Sequence, residues 1–593
     1  MPERIAAQAE AGPNRPAVVE GDNVLSYADL RTRVNALARR ITELGAGPDD
    51  VVALYLRRGT DLVVAASAAL SAGAAYLALD TDTPSARSRD FIEGAGAKLV
   101  VTQAALAEQV AMAGATAVLV DALPEPAAGP AADGPTGWPV PALLPSSAAY
   151  VTYTSGSTGQ PKAVVVEHGG LANLVGWYGE QYTVTTGDRM TQLARPSFDA
   201  FALEVWPCLT HGAALHIVPQ NLLSVPAELV AWLHGRHISV AFVPTPLAVE
   251  LIDLPWPREA DGTARLRAML VGGDRLGRGA PDGLPFMMYN NYGPTEGTVV
   301  ATCGRVPAER EQRGTPPPIG TPIHGVTAYV LDPQGRPVAE GETGELHLGG
   351  AGVARGYLNA APEETGRFGD DPFAGRSGAR KYATGDLVRR DADDTLHFVG
   401  RIDDQLKING VRIEPGEVEA VLLKQHGVLA AAVVPHRTAP DAAVALVAHA
   451  VLAEGVDPAE VRRGMTDELP AVMVPLAVVR VEALPLTAHG KVNRVELSAR
   501  PLPEAQVKPE APHGNALELQ IAELWMELLG VPTVAPTDSF FDIGGDSLRV
   551  IRLVKAARRE GLALQADDVY MYPVLRDLAS AVLKAPQDDE QGR

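Results

Sequence analysis

The feature that most constrains the fold is a regular alternation of short apolar runs with helical stretches through residues 1–400. One such cycle runs from VVALYL (51–56) through an alanine-rich helical stretch to AAYLALD (74–80). Strands that alternate with helices form βαβ units, which build parallel sheets with helices on their faces. This part of the chain therefore predicts an α/β core with largely parallel sheets.

A chain of 593 residues is too long for one compact core, so several folding units are expected. The pattern changes near residue 400, where LKINGVRI (406–413) holds two alternating runs joined by Asn409-Gly410, a dipeptide suited to a tight hairpin. Pro415 then suits the first position of a helix. We expect a small α+β subdomain over 404–500, following a core over 1–403.

Two proline-rich stretches, 122–145 and 501–514, read as an exposed connection and an interdomain linker. Beyond the second stretch, apolar residues recur on one helical face. These are Leu517, Ile521, Leu524, Leu528 and Leu529. The segment 515–586 is therefore predicted to form a compact all-helical bundle.

Charge and cysteine content exclude several classes of protein. The formal net charge of -21 argues against nucleic acid or an anionic membrane as a partner, since phosphates repel such a surface. The two cysteines, Cys208 and Cys303, have no paired spacing, which argues against a disulfide scaffold or a cysteine-rich zinc site. The start of the chain lacks an apolar signal core, and runs such as 443–452 are too short to span a bilayer. We expect a cytoplasmic protein.

The most informative segment is a loop rich in glycine and hydroxyl side chains that follows the apolar run AAYVTY. Its glycines allow a tight turn whose N–H groups face an anion, and its hydroxyls and lysine add contacts to phosphate. The P-loop NTPase pattern is absent, and such a run by itself is more often a linker. The candidate phosphate ligands are Thr154, Ser155, Gly156, Ser157, Thr158, Gly159 and Lys162.

The loop and its companion motifs, in this order, resemble the adenylation domains of nonribosomal peptide synthetases, which belong to the adenylate-forming superfamily. The resemblance covers nearly the whole chain. The companion motifs are LSYADL (25–30), LSAGAAYLALD (70–80), YGPTE (292–296), GELHLGGAGVARGYL (344–358), YATGD (382–386), GRIDDQLKINGVRIEPGEVE (400–419) and LPLTAHGKVNR (484–494).

The resemblance implies a role for each matching residue in the use of ATP and Mg2+. Glu296 would hold the metal, since a carboxylate suits a hard cation that keeps several waters. Asn290 would contact the adenine edge, and Tyr292 would stack on its face. Asp386 would accept both ribose hydroxyls with help from Arg401. Thr158 and Thr295 would contact phosphate groups.

Lys491 is predicted to be the principal catalytic residue of the first half-reaction. By resemblance, its ammonium bridges the substrate carboxylate and the α-phosphate, where charge grows in the transition state. The small subdomain of this family then swings about the aspartate matched by Asp403 and brings the 406–413 hairpin to the site. This sequence departs from the family pattern at several positions. The departures are Ala78, Ala163, Asn409, His489 and Asn493.

The segment Pro196–Ala200 resembles the start of the substrate pocket in members that activate amino acids. Asp199 would pair with the substrate α-ammonium, because a buried unpaired charge is costly. The other matching pocket positions form an apolar wall interrupted by one amide. They are Ala200, Leu203, Phe242, Leu270, Gly272, Asn291, Val299 and Val300. This wall favours an aliphatic or aromatic substrate: leucine first, with tryptophan, phenylalanine and tyrosine left open.

The segment DSFFDIGGDSL (538–548) resembles the attachment site of peptidyl carrier proteins, in a fold expected to be a four-helix bundle. Ser547 would carry 4'-phosphopantetheine, added by a phosphopantetheinyl transferase, whose thiol takes the amino acid from the adenylate. With no room expected for a condensation or thioesterase domain, a condensation domain or tailoring enzyme in trans would receive the product. Some relatives also need an MbtH-like activator.

Two alternatives remain at the level of sequence. One is an aryl- or acyl-adenylating ligase with a fused carrier, against which Asp199 argues. The other is a noncatalytic loading scaffold, against which the complete set of Lys491, Glu296, Asp386 and Ser547 argues.

Overall fold

The computed structural model divides into two compact units that correspond to different parts of the chain. The first comprises residues 1–155, 161–219 and 227–410; the second comprises residues 156–160, 220–226 and 411–593. The structure describes residues 1–110, 114–122, 143–156, 160–259, 262, 264–312, 315–359, 366–408, 411–436, 444–486, 492–500, 515–529, 534–540, 543, 547–565, 568–569 and 572–584.

A nine-stranded sheet of the first unit has a parallel centre and antiparallel edges. Its central strands bring Gly272 and Asn291 opposite one another. In sheet order the strands are Thr321–Pro322, Thr302–Arg305, Met287–Tyr292, Ala268–Gly272, Val240–Pro244, Arg189–Gln192, Ala214–Ile217, Pro16–Glu20 and Asn23–Ser26.

A seven-stranded sheet of the same unit contains the strands predicted from the first cycle of the sequence. The apolar runs become Val51–Tyr55 and Ala75–Leu79, which pair in parallel and are buried along their whole length. Burial on both faces is why these runs are continuously apolar. In sheet order the strands are Gly356–Tyr357, Lys162–Glu167, Ala148–Thr154, Ala75–Leu79, Val51–Tyr55, Leu99–Thr102 and Thr116–Leu119.

A third, five-stranded antiparallel sheet completes the first unit. Its longest strand, Arg380–Arg390, carries the TGD motif and pairs Asp386 with Arg401 of the next strand. The strands are Val326–Leu331, Thr343–Gly350, Arg380–Arg390 and Phe368–Asp370 in order, with Leu396–Arg401 paired to Arg380–Arg390.

Helices of the first unit pack their apolar faces into one cluster with side chains from both large sheets. The helix Tyr27–Glu43 begins at Ser26, whose hydroxyl accepts the Asp29 N–H and so satisfies one of the free donors of the first turn. The α-helices from this part of the chain are Pro2–Ala11, Tyr27–Glu43, Thr60–Ser71, Ser85–Gly94, Ala107–Val110, His168–Gln181, Ala200–Thr210, Pro226–Gly235, Thr245–Ile252 and Glu309–Gln312. The prediction of an α/β core is confirmed, and parallel pairing holds at the centres of the two large sheets. The prediction of parallel pairing is wrong for residues 326–401, which form an antiparallel sheet.

The chain forms strands at Leu406–Ile408 and Val411–Ile413, as the hairpin pattern predicted, while Asn409 and Gly410 lie outside the described residues. The helix Pro415–Lys424 begins with Pro415, as expected. A three-stranded sheet follows in the second unit, made of Val428–His436, Ala445–Leu452 and Ala477–Arg480. Two more helices of this region are Pro458–Met465 and Arg494–Ala499.

Among the described residues of the carrier region, three helices surround an apolar core. They are Ala516–Leu529, Ser547–Arg559 and Leu575–Lys584. Trp525 and Phe540 meet in this core with ring centroids 5.0 Å apart. The predicted apolar face is confirmed, since Ile521 and Leu524 are buried and Leu517, Leu528 and Leu529 pack against them.

The predicted linker 501–514 and most of the connection 122–145 lie outside the described residues. In the described part of the chain, no helix combines the length and apolar character needed to cross a bilayer.

Candidate active site

Asp386 is the centre of a buried group of predicted ATP ligands. The Tyr292 hydroxyl donates to one carboxylate oxygen of Asp386, and the Arg401 guanidinium donates to the other. Burial, followed by the negative charge of Asp386, raises the pKa of Tyr292 well above its ordinary value. Tyr292 is therefore a neutral hydrogen-bond donor at any physiological pH. The structure brings together three of the predicted residues, Tyr292, Asp386 and Arg401.

Asp403, the predicted hinge residue, is tied to the same group through two arginines. Arg401 Nε lies 2.6 Å from Asp403 Oδ1, and an Arg367 terminal nitrogen lies 2.6 Å from Oδ2. Burial opposes ionisation of Asp403, but the hydrogen bonds from Arg401 and Arg367 outweigh it, and its pKa lies below the ordinary value. Asp403 is thus anchored by charge to both arginines.

Gly385 owes its identity to the crowding around this group. Its φ of +76° favours glycine, and a Cβ there would lie 2.7 Å from an Arg367 nitrogen and 2.9 Å from an Arg401 nitrogen. A side chain at position 385 would have to adopt an unfavourable φ and would displace the ends of both arginines.

Glu296, the predicted metal ligand, is completely buried. The Tyr357 hydroxyl donates to its Oε1 at 2.8 Å, and the Ala354 N–H donates to its main-chain oxygen at 2.9 Å. The Lys162 ammonium lies 5.2 Å from the centroid of the Tyr357 ring. Tyr357 therefore connects the lysine of the phosphate loop to the candidate metal ligand.

A single carboxylate such as Glu296 fits a magnesium ion that takes its remaining ligands from water and from the phosphates of a nucleotide. Among the described residues, no group of three or more His, Cys, Asp or Glu side chains could hold a metal ion.

Asp199 stands immediately before the helix Ala200–Thr210, in a recessed position. Burial raises the pKa of Asp199, and the charge of Glu296 adds to that rise, whereas a hydrogen bond from Thr295 and the charge of Lys407 oppose it. The recess thus holds two carboxylates, those of Asp199 and Glu296, and the charge of Lys407 acts on it from nearby. The arrangement can bind a cation such as an ammonium group.

The predicted pocket residues lie on converging elements of the first unit. Phe242, Leu270, Gly272 and Asn291 belong to three neighbouring parallel strands, on positions that share one face of the sheet. Ala200 and Leu203 come from the helix that follows Asp199. The members that join one apolar cluster are Ala200, Leu203, Phe242, Leu270, Val299 and Val300.

The amide of Asn291 is the polar exception in this apolar wall. Its Oδ1 accepts a hydrogen bond from the Tyr182 hydroxyl at 3.1 Å, while its buried Nδ2 has no partner among the described residues. Gly272 is required beside it, because a Cβ there would lie 2.7 Å from the Asn291 main-chain oxygen. The position of Asn291 is thus fixed by Tyr182 and by close approach of the two strands.

Two consecutive strained residues lie beside the predicted pocket residue Val300. Thr298 and Val299 have φ values of +58° and +67°, although both are β-branched. Such conformations cost roughly 1–3 kcal/mol each and persist where the surroundings impose them. Here the Thr298 hydroxyl donates to the Gly352 oxygen at 2.6 Å, which holds the strained turn that presents Val299 and Val300.

The remaining predicted site residues make contacts outside the Asp386 group or lie outside the described residues. The Asn290 amide donates to the Pro318 oxygen at 2.9 Å, and Thr295 bonds to Asp199. Thr154, Ser155 and Gly156 end the described part of the phosphate loop, and Ser547 is the first residue of the helix Ser547–Arg559. Outside the described residues lie Ser157, Thr158, Gly159 and Lys491.

Sequence reasoning missed Lys407 and Tyr357. The Lys407 ammonium lies 5.8 Å from the centroid of the Tyr292 ring and acts electrostatically on Asp199. The sequence signal for Lys407 was its position between Leu406 and Ile408. In a strand, successive side chains point to opposite faces, so Lys407 lies on the face opposite to these two apolar residues. Tyr357 lies within the motif GELHLGGAGVARGYL, but nothing local to that motif points to Glu296.

Three family models match this chain in succession. The AMP-binding enzyme model matches residues 5–358, the AMP-binding enzyme C-terminal domain matches 417–491, and the phosphopantetheine attachment site matches 520–582.

Curated relatives are similar along the whole chain. Two of the proteins that make up the linear gramicidin synthase of Brevibacillus parabrevis are 40% identical over 601 residues and 39% identical over 594 residues. Each match covers 100% of this chain, but the chain spans only 11% and 12% of those proteins.

Solved structures give the same pairing of domains. Holo-PA1221, an NRPS protein containing adenylation and PCP domains bound to a vinylsulfonamide inhibitor, is 27% identical with a TM-score of 0.77, covering 98% of this chain and 96% of that chain. Holo-AB3403, a four-domain nonribosomal peptide synthetase bound to AMP and glycine, is 28% identical with a TM-score of 0.59, covering 99% of this chain and 42% of that chain.

Proposed function

The chain belongs to the AMP-binding enzyme family, as an adenylation domain joined to a phosphopantetheine carrier domain, and on that premise we propose that it activates an amino acid and loads it on Ser547. We divide it into an adenylation core (1–403), a C-terminal subdomain (404–500), a linker (501–514) and a peptidyl carrier domain (515–586). The feature that supports amino-acid activation most directly is the carboxylate of Asp199 beside the apolar cluster that contains most of the predicted pocket residues.

In the first half-reaction a carboxylate oxygen of the amino acid attacks the α-phosphorus of ATP, and the bond to pyrophosphate breaks. Asp199 binds the ammonium group, which places the carboxylate toward the nucleotide. Asp386 accepts the ribose hydroxyls, and Arg401 orients Asp386 by donating to its carboxylate. Lys491 neutralises the charge that grows between carboxylate and phosphate. A magnesium ion on Glu296 would neutralise charge on the phosphates.

In the second half-reaction the acyl group leaves AMP and becomes a thioester on the carrier domain. Ser547 begins a helix and lies within the matched attachment region. A 4'-phosphopantetheine arm bound there would supply the thiol that accepts the acyl group. Its tether raises the effective concentration of that thiol at the pocket.

The pocket wall favours an apolar side chain, and we propose leucine first, with phenylalanine, tyrosine and tryptophan as competitors. Shape discriminates between apolar side chains by only about 1–3 kcal/mol per methylene, so leucine should exceed its nearest competitors by roughly ten- to two-hundredfold in kcat/KM. A charged side chain would leave its charge unpaired against Leu203, Phe242 and Leu270.

Amino-acid-dependent pyrophosphate exchange across the twenty amino acids and a set of aryl acids tests this function. We expect exchange with leucine or another apolar amino acid, and none with aryl acids. Exchange with an aryl or acyl acid alone would favour an aryl- or acyl-adenylating ligase. No exchange with any acid, when an MbtH-like protein is supplied, would favour a noncatalytic loading scaffold.

The proposed reaction implies partners and a cellular site. A phosphopantetheinyl transferase must modify Ser547, and a condensation domain or a tailoring enzyme must take the loaded amino acid. Because the proposed reaction consumes ATP, we propose that the protein is cytoplasmic. We propose nonribosomal peptides as the product class, because solved structures similar to this chain are nonribosomal peptide synthetase proteins.

A further inference from the structure

The segment that leads into Asp199 is held by carboxylates from two different parts of the first unit. The first is Glu204, which is buried in the helix Ala200–Thr210. Its Oε1 accepts the Leu193 N–H at 2.8 Å, and its Oε2 accepts the Ala194 N–H at 2.9 Å. Both oxygens of Glu204 are thus used to fix two successive peptides.

The second carboxylate is Asp80, which follows the strand Ala75–Leu79 and is also buried. Its Oδ1 accepts the Ser197 N–H at 3.2 Å, and its Oδ2 accepts the Ser197 hydroxyl at 2.6 Å. Asp80 therefore fixes the main chain only two residues before Asp199, from a strand of the other large sheet.

The main-chain oxygens of the same segment also accept hydrogen bonds from side chains. An Arg58 terminal nitrogen donates to the Leu193 oxygen at 2.7 Å, and the Gln192 amide donates to the Ala194 oxygen at 2.7 Å. The hydrogen-bonding groups of residues 193–194 thus bind side chains, where a surface loop would bind water.

Packing alone does not explain why the helix Ala200–Thr210 contains an acidic residue at position 204. Its sequence, AFALEVWPCLT, has no other charged residue, and every side chain in it is buried. Burial raises the pKa of Glu204 to about 8, although the Ala194 and Leu193 N–H groups and Arg58 oppose the rise. An apolar residue there would spare the desolvation of an acid, so the acid has a use other than filling space.

We infer that Asp80 and Glu204 are positioning residues for substrate recognition, which hold residues 193–197 so that Asp199 meets the α-ammonium of the amino acid. Neither residue touches the substrate. The inference rests on the proposed role of Asp199. It assigns a task to the aspartate that ends the motif LSAGAAYLALD, for which the catalytic scheme has no use.

The inference is tested by steady-state kinetics of pyrophosphate exchange in Asp80→Asn and Glu204→Gln. Ser197→Ala is a milder variant, because it removes only the hydroxyl that donates to Asp80. Asp80→Asn and Ser197→Ala weaken charge-assisted bonds to the segment, and Glu204→Gln replaces one of two acceptor oxygens by an NH2 group that faces a main-chain N–H. The KM for the amino acid should therefore rise about tenfold. The KM for ATP should change less than twofold, since the contacts of Asp386 are intact.

Asp188→Asn is the matched control. Asp188 is also buried, and it accepts a serine hydroxyl (Ser239, 2.6 Å) and a main-chain N–H (Thr185, 2.8 Å), but in a loop that carries no predicted site residue. If Asp80→Asn and Ser197→Ala leave the amino-acid KM unchanged, or if Asp188→Asn raises it equally, the inference is wrong. If Glu204→Gln does not fold, Asp80→Asn and Ser197→Ala still test the inference.

Asp199→Asn, assayed in parallel, separates this inference from the proposed function. An unchanged amino-acid KM in Asp199→Asn would reject the ammonium site itself. A raised KM in Asp199→Asn together with wild-type values in Asp80→Asn and Ser197→Ala would reject only the positioning role.

Discussion

Replacing Lys491 by alanine is expected to slow adenylate formation by about a hundred- to a thousandfold. The loss is that of one positioned charge at the atoms where negative charge develops, between the substrate carboxylate and the α-phosphate. Because the interaction strengthens in the transition state, kcat should fall more than the KM of either substrate rises. A single-turnover measurement of aminoacyl-AMP formation, quenched in acid, gives the rate directly.

The second half-reaction supplies the internal control for this variant. If the small subdomain removes Lys491 from the site after adenylation, Lys491→Ala should load a chemically prepared aminoacyl-AMP onto the carrier at nearly the wild-type rate. Lys424→Ala is the matched substitution, since Lys424 is an exposed lysine of the second unit that pairs with Glu468 at 3.3 Å. If Lys491→Ala slowed both half-reactions equally, the substitution would have damaged the protein in general, and Lys491 would have no role specific to adenylation.

Replacing Ser547 by alanine is expected to abolish loading while leaving pyrophosphate exchange within about twofold of wild type. The hydroxyl is the only point of attachment in the proposed scheme, so no arm and no thioester can form. Adenylation uses residues of other domains and should continue. Intact-mass measurement after treatment with a phosphopantetheinyl transferase and coenzyme A reports the arm as a single mass increase.

Ser580→Ala is the matched control for the carrier domain. Ser580 lies on the helix Leu575–Lys584 and donates to the Arg576 oxygen at 2.8 Å, so its loss should leave modification intact. A Ser547→Ala protein that still gains the arm would place the attachment site elsewhere.

Much of the core could be predicted because its signals are local. The runs at 51–56 and 74–79 are apolar throughout, as expected for strands that are buried on both faces. The apolar face from Leu517 to Leu529 likewise predicted a packed helix. Asp386 and Tyr292 could be named from their motifs, although not their mutual hydrogen bond, which joins residues 94 apart.

The sequence does not reveal hydrogen bonds between residues that are distant along the chain. Asp80 and Ser197 lie 117 residues apart, and Tyr357 and Glu296 lie 61 apart. No periodicity or spacing connects such pairs, because each is created when separate elements of the fold meet. Glu204 was missed for a related reason: within an apolar helix it reads as an isolated exception, and its use appears only when the folded chain brings Leu193 and Ala194 to it.

The strained turn at Thr298 and Val299 also could not be predicted, since β-branched residues ordinarily avoid positive φ. Their conformation follows from the Gly352 contact and from the position of Gly293, where a Cβ would lie 2.4 Å from the Val299 oxygen. Pocket shape therefore depends on contacts between motifs that are separate in the sequence.

The central claim is that a recessed acid recognises the amine of the substrate. The direct measurement compares kcat/KM for exchange with the best amino acid and with its des-amino analogue, in wild type and in Asp199→Asn. Wild type should prefer the amine by about a thousandfold or more, since the analogue offers Asp199 no cationic partner. Asp199→Asn should lose most of that preference, mainly because kcat/KM for the amino acid falls. An undiminished preference in Asp199→Asn would contradict the account.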